Sequence, residues 1–101
     1  MSDILRPYVS LGRQITRQDI RRTLDAIANV PPRFETRQLA NAILPRECDA
    51  TMMERMEALN KLMQRLRKAG LASFEQKKWS ITSAAWQKIQ SVISGTTEEP
   101  R

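Results

Sequence analysis

Five cations and one amide carry most of the chemistry this chain can offer. Lys61, Gln64, Arg65 and Lys68 recur at steps of three and four residues, the spacing of one helix face, and Lys77-Lys78 follow in a short polar turn. Ammonium and guanidinium groups on one face neutralise phosphates, and an amide among them can read a base edge. The same charges also complement the negative C-terminal end of a helix and keep a surface solvated. Lysines in a turn equally protect a hairpin edge from unwanted pairing. For each residue taken singly, both readings stand.

Catalytic chemistry finds no comparable set. The chain has no histidine, one cysteine and three glycines. The commonest general base, the usual zinc-ligand sets and a Gly-rich phosphate loop are therefore missing. No enzyme, metal or cofactor is expected. Cys48 has no histidine in the chain to activate it and reads as an incidental thiol. Met52, Met56 and Met63 read as core fillers at helical spacing, while Met53 points off that stripe.

At 101 residues, 17 Lys+Arg against 11 Asp+Glu and a net charge of +6, the chain is one small basic domain suited to an acidic partner. The charge is uneven: +3 over residues 1–40, −2 over 41–60, +5 over 61–80 and zero over 81–101. A lone cysteine and the lack of a long apolar run point to a reducing cytoplasm and no membrane.

The elements that must position these cations follow from caps and periods. Residues 1–14 form an N-terminal arm with Ile4, Leu5, Tyr8, Val9 and Leu11, apolar enough to dock on something. Thr16-x-x-Asp19 opens a helix, with Ile15 stapling onto Ile20 and a buried stripe of Ile20, Leu24, Ile27 and Ala28. Pro31-Pro32 ends it. Arg33-Phe34-Glu35 fits one edge strand, and Thr36 caps a short second helix to about Leu44, closed by Pro45.

The third helix begins with a capping box, Thr51-x-x-Glu54. It carries Met52, Met56, Leu59, Met63 and Leu66 inward, with Leu62 beside them, and Gly70 stops it. Glu57 and Lys61 stand in the favourable i,i+4 order. Glu54, Glu57, Lys61, Gln64, Arg65 and Lys68 fall opposite that stripe, with Arg55 at its margin. Leu71–Phe74 and Trp79–Thr82 then read as strands around a four-residue Glu-Gln-Lys-Lys turn. A last helix, about Ser83 to Ser94, buries Ala85, Trp86, Ile89, Val92 and Ile93, and residues 95–101 form a polar tail expected to be disordered.

A basic amphipathic helix running Lys61-Leu-Met-Gln-Arg-Leu-Arg-Lys-Ala-Gly-Leu71, then a small hairpin into Trp79-Ser80-Ile81-Thr82, resembles the second half of a winged helix-turn-helix. The element order from about Thr16 to Ser94 is similar to the broad superfamily of MarR, PadR and ArsR-type DNA-binding domains. The resemblance implies a mainly α fold with a small β-hairpin (α+β) over residues 15–94. It also implies a regulator that reads double-stranded DNA with the third helix and the wing. On this chain it points to Thr36, Arg37 and Gln38 at the second helix start, to Arg55, Lys61, Gln64, Arg65 and Lys68 on the third helix, and to Lys77 and Lys78.

One departure matters. Recognition helices usually place bases and amides in their first turns, whereas Glu47, Asp49, Glu54 and Glu57 crowd this one against Arg46 and Arg55. A protein-interaction module on the same scaffold, an adaptor, complex subunit or inhibitor, is the alternative. A homodimer through Trp86, Ile89, Ile93 and the N-terminal arm is balanced against the same residues completing the chain's own core.

Overall fold

Thr16 starts the first long helix by a reciprocal cap. Its Oγ1 accepts from the Asp19 amide at 3.1 Å, and Asp19 Oδ2 accepts from the Thr16 amide at 3.0 Å. Helix α1 (Arg17–Ala28) buries Ile20, Thr23, Leu24 and Ile27, and Asn29 caps its end. In this computed structural model residues 3–30, 33–44 and 47–97 are described. Pro31, Pro32, Pro45 and Arg46 thus lie outside the described residues.

The arm before α1 is a hairpin on its own chain. After a 3-10 turn at Asp3–Leu5, strands β1 (Tyr8–Ser10) and β2 (Arg13–Ile15) pair antiparallel, with Tyr8 opposite Ile15. Ile4, Leu5 and Ile15 are buried in the common core.

Strand β3 (Arg33–Phe34) pairs with β5 (Lys78–Ser80), which also pairs with β4 (Ser73–Glu75), so the sheet order is β3-β5-β4. The short edge strand expected from Arg33-Phe34-Glu35 is present. Phe34 and Phe74 both face Trp79 across the sheet. The β4–β5 turn holds two residues, not four. Gln76 (φ +52°) and Lys77 (φ +65°) are both left-handed, the turn geometry that matches strand twist. Lys78 is therefore a strand residue opposite Glu75, and Gln76 and Lys77 form the tip.

Helix α2 (Thr36–Ile43) buries Leu39, Ala40 and Ile43. Its cap is Glu35, whose amide donates to Gln38 Oε1 at 2.7 Å, so Thr36 is the first helical residue and not the cap. Helix α3 (Met52–Lys68) carries the expected Thr51–Glu54 capping box. It ends in a Schellman motif: the Leu71 amide donates to the Leu66 carbonyl at 2.9 Å and the Gly70 amide to that of Arg67 at 3.0 Å. Gly70 holds φ +78° there, the left-handed position a side chain would strain.

The buried face of α3 is rotated from the expected stripe. Arg55, Ala58, Leu59, Leu62, Met63 and Leu66 are inside, while Met52 and Met53 are exposed and Met56 is half-buried. The reason is that α3 packs on two partners, α2 on one side and the N-terminal hairpin on the other. A single apolar stripe has one partner; a helix held between two is buried over a wider arc.

Helix α4 (Ser83–Thr97) runs past Gly95, where the sequence points to a disordered tail, and residues 98–101 lie outside the described residues. Ala85 and Ile89 are fully inside, and Trp86, Val92 and Ile93 pack against the same core. The face considered for a dimer is therefore largely spent within the chain, and so are Ile4 and Leu5 of the arm. Together the described elements make an α+β domain of four helices and two small antiparallel sheets.

Candidate nucleic-acid interface

The outward strip of α3 is what remains after α2 and the hairpin have taken its sides. Along it lie Met53, Glu57, Asn60, Lys61, Gln64 and Lys68. Asn60, Lys61, Gln64, Arg65 and Lys68 line a shallow groove of about 400 Å³. Asn60 also closes the end of a second groove, about 500 Å³, lined by Thr36, Met52, Met53, Met56 and Glu57. A third groove, about 310 Å³, joins Thr36 and Met56 to Glu35, Arg37 and Lys77. The shared linings make one continuous surface from Lys68 to Lys77.

Each residue expected at a site finds a definite place. Arg37, Lys68 and Lys77 are exposed cations on this surface. Gln38 is exposed, but its Oε1 caps α2. Thr36 is half-buried, and its hydroxyl accepts a hydrogen bond from Trp79 Nε1 at 3.2 Å. Gln64 is half-buried in the α3 groove. Lys78 is exposed on β5, in register with Glu75 on β4.

Arg55 needs correcting. It is 6 % exposed, and its guanidinium donates to the carbonyls of Leu44 at 3.0 Å, Cys48 at 3.1 Å and Ala50 at 3.2 Å. It organises the α2–α3 connection and has no access to a duplex. Lys61 and Arg65 serve two surfaces. Lys61 Nζ donates to the Val9 carbonyl at 3.3 Å, and Arg65 donates to the Arg6 carbonyl at 2.7 Å and the Ile4 carbonyl at 3.3 Å. The Arg65 guanidinium also stands 5.0 Å over the Tyr8 ring. These bonds pin the N-terminal hairpin along α3.

The acids at the start of α3 are answered by a residue sequence reasoning passed over. Arg13, on β2, pairs with Asp49 at 2.8 Å and with Glu54 at 3.4 Å. Its hydrogen bond holds the Asp49 carboxyl below the usual carboxylate range. The separations of 36 and 41 residues leave no local pattern to find. Of the four acids that crowd this end, Glu47 and Glu57 are the exposed ones without such a pairing to Arg13. Asn60 was also passed over; its signal was an amide one turn beyond Met56 and Glu57 on the outward strip.

Tyr8 reports on the hairpin. Its hydroxyl donates to the Ala58 carbonyl at 2.6 Å, and burial pushes its ionisation well above the ordinary phenol value of about 10. A group held protonated in the folded state supports folding below its unfolded value, and that support is lost as the pH rises beyond it. Because the chain has one tyrosine, phenolate absorbance is specific to Tyr8. In an alkaline titration, phenolate should emerge above about pH 10 together with the loss of helical circular dichroism. Ionisation at the ordinary value in an intact fold would mean the hairpin is not docked.

Among the described residues no cluster of three metal-binding side chains occurs, and no helix is long and apolar enough to cross a membrane. No family model, curated protein or solved structure is significantly similar to this chain.

Proposed function

We propose that this chain is a winged helix-turn-helix protein of the cytoplasm that binds double-stranded DNA without catalysis and regulates transcription. The outward strip of α3 enters the major groove at its middle turns, with Asn60 and Gln64 at base edges and Lys61 and Lys68 toward phosphates. Arg37 at the start of α2 and Lys77 at the hairpin tip hold the flanking backbone. The observation that carries this reading is the continuity of the surface from Lys68 through Asn60 and Thr36 to Arg37 and Lys77. The Arg13 pairs, which offset Asp49 and Glu54, reduce the repulsion those acids would exert on phosphates.

Fluorescence anisotropy with mixed duplexes tests it. Binding should weaken steeply with salt, and the Arg37→Ala/Lys68→Ala/Lys77→Ala variant should flatten the log K against log salt slope by about 2–3. Asn60→Ala and Gln64→Ala should change preference among sequences and leave the slope intact. Absence of salt-dependent binding at micromolar protein defeats the reading. A protein-interaction module is then the better account, favoured by the exposed Met52 and Met53 in the groove beside α2.

A further inference from the structure

The most exposed large apolar side chain among the described residues is Met53, at 76 %, and it stands on the outward strip of α3. It has company. Met52, also exposed, and half-buried Met56 line the same groove of about 500 Å³, together with Thr36 of α2, Glu57 and Asn60. Flexible thioethers gathered in an otherwise polar strip mark a place that receives an apolar group of a ligand.

The charges around the methionines say what that ligand is. Lys61 and Lys68 line the groove that shares Asn60, and Arg37 and Lys77 line the one that shares Thr36 and Met56, so both neighbouring grooves carry cations. Such a frame suits a polyanion. Glu57, exposed one turn after Met53, keeps phosphates themselves from that spot, because a carboxylate is repelled by them and finds a donor only in base amino groups such as cytosine N4. The methionine end of the strip therefore faces base edges. Among the groups that base edges present in the major groove, the apolar one is the C5-methyl of a pyrimidine.

Asn60 follows Met53 by two helical turns. At about 100° and about 1.5 Å per residue, the two side chains leave α3 within about 20° of each other and about 10 Å apart. That distance is about three base steps of about 3.4 Å. We propose that Met53 reads a pyrimidine C5-methyl group, that of thymine or of 5-methylcytosine, about three base steps from the base that Asn60 bonds. The inference rests on the duplex reading and adds to it a base-edge group recognised without a hydrogen bond. Burial of one methyl group corresponds to about fourfold in affinity.

Selection of the full chain's bound sequences from a random duplex pool, followed by anisotropy at fixed salt on duplexes that differ by one methyl group, tests this. Deoxyuridine in place of thymine removes the methyl, and 5-methylcytosine in place of cytosine adds it. In the wild type one position should respond by about fourfold, about three base steps from the position whose preference Asn60→Ala relaxes. The slope against salt should not move, because no charge is altered. Met53→Ala should abolish the response, and Met53→Leu, apolar and of similar size, should keep it. Side chain 53 is exposed, so both variants retain the core, and circular dichroism verifies it. A response to deoxyuridine assigns the methyl to thymine and a response to 5-methylcytosine assigns it to the methylated base; either one supports the proposal. Salt-dependent duplex binding with no methyl response, or with one that survives Met53→Ala, overturns it and leaves the duplex reading standing. Absence of duplex binding overturns both.

Discussion

Replacing Trp79 with alanine is expected to cost about 3–5 kcal/mol, the range for deleting a large aromatic from a packed core. Trp79 is 1 % exposed and sits on the central strand, between Phe34 on β3 and Phe74 on β4. Its ring centroid is 4.7 Å from that of Phe74 at a 46° tilt, and its Nε1 donates to Thr36 Oγ1. The alanine variant therefore opens a cavity under the sheet and releases the start of α2 from β5. A domain of this size has only about 5–15 kcal/mol of total stability, so the loss is about a fifth of it or more. Urea unfolding followed by Trp86 fluorescence, the one indole left, measures it directly. Trp79→Phe keeps most of the apolar contact and removes the donor to Thr36, so its cost should be well below that of alanine. A loss under about 1 kcal/mol for Trp79→Ala would remove Trp79 from the centre of the core.

Arg55→Ala comes next, at about 3 kcal/mol. The guanidinium donates to three carbonyls around the α2–α3 connection, those of Leu44, Cys48 and Ala50. Removing it leaves the buried Leu44 acceptor and the part-buried Cys48 and Ala50 acceptors without this donor, and each unmade bond carries a desolvation cost that is largest at Leu44. Lysine should rescue little, because one ammonium on a flexible stem lacks the planar fork that reaches three acceptors. The urea midpoint should fall while the slope of duplex affinity against salt stays that of the wild type. A lowered salt slope with unchanged stability would instead return Arg55 to the surface and to phosphate contact.

These two residues show where local pattern is informative and where it stops. Trp79 was legible as an inward strand residue because alternation places it on one face with Ile81, and both are buried. Arg55 was not, because a charged side chain at the margin of a stripe reads as exposed until its acceptors come into view. The carbonyls it bonds are 5–11 residues away, before the start of α3. The lysine at position 78 was placed in a turn by composition alone, since neither Gln76 nor Lys77 is a residue that usually announces a left-handed pair.

By itself the sequence determined the local grammar. The capping boxes at Thr16 and Thr51, the left-handed stop at Gly70, the short strand at Arg33–Phe34 and the order of the helices all depend on residues within about five positions of one another, and all are present. Tertiary structure alone decided how the outer surface is spent. It folded the arm back as a hairpin under Lys61 and Arg65, set Arg13 against Asp49 and Glu54, drew Thr36 to Trp79, and turned Met52 outward while Arg55 went in. The physical reason is that a helix's period records how many of its residues are apolar and on which side. Which neighbours press on it from either flank is settled only when segments 35 to 61 residues apart close on one another.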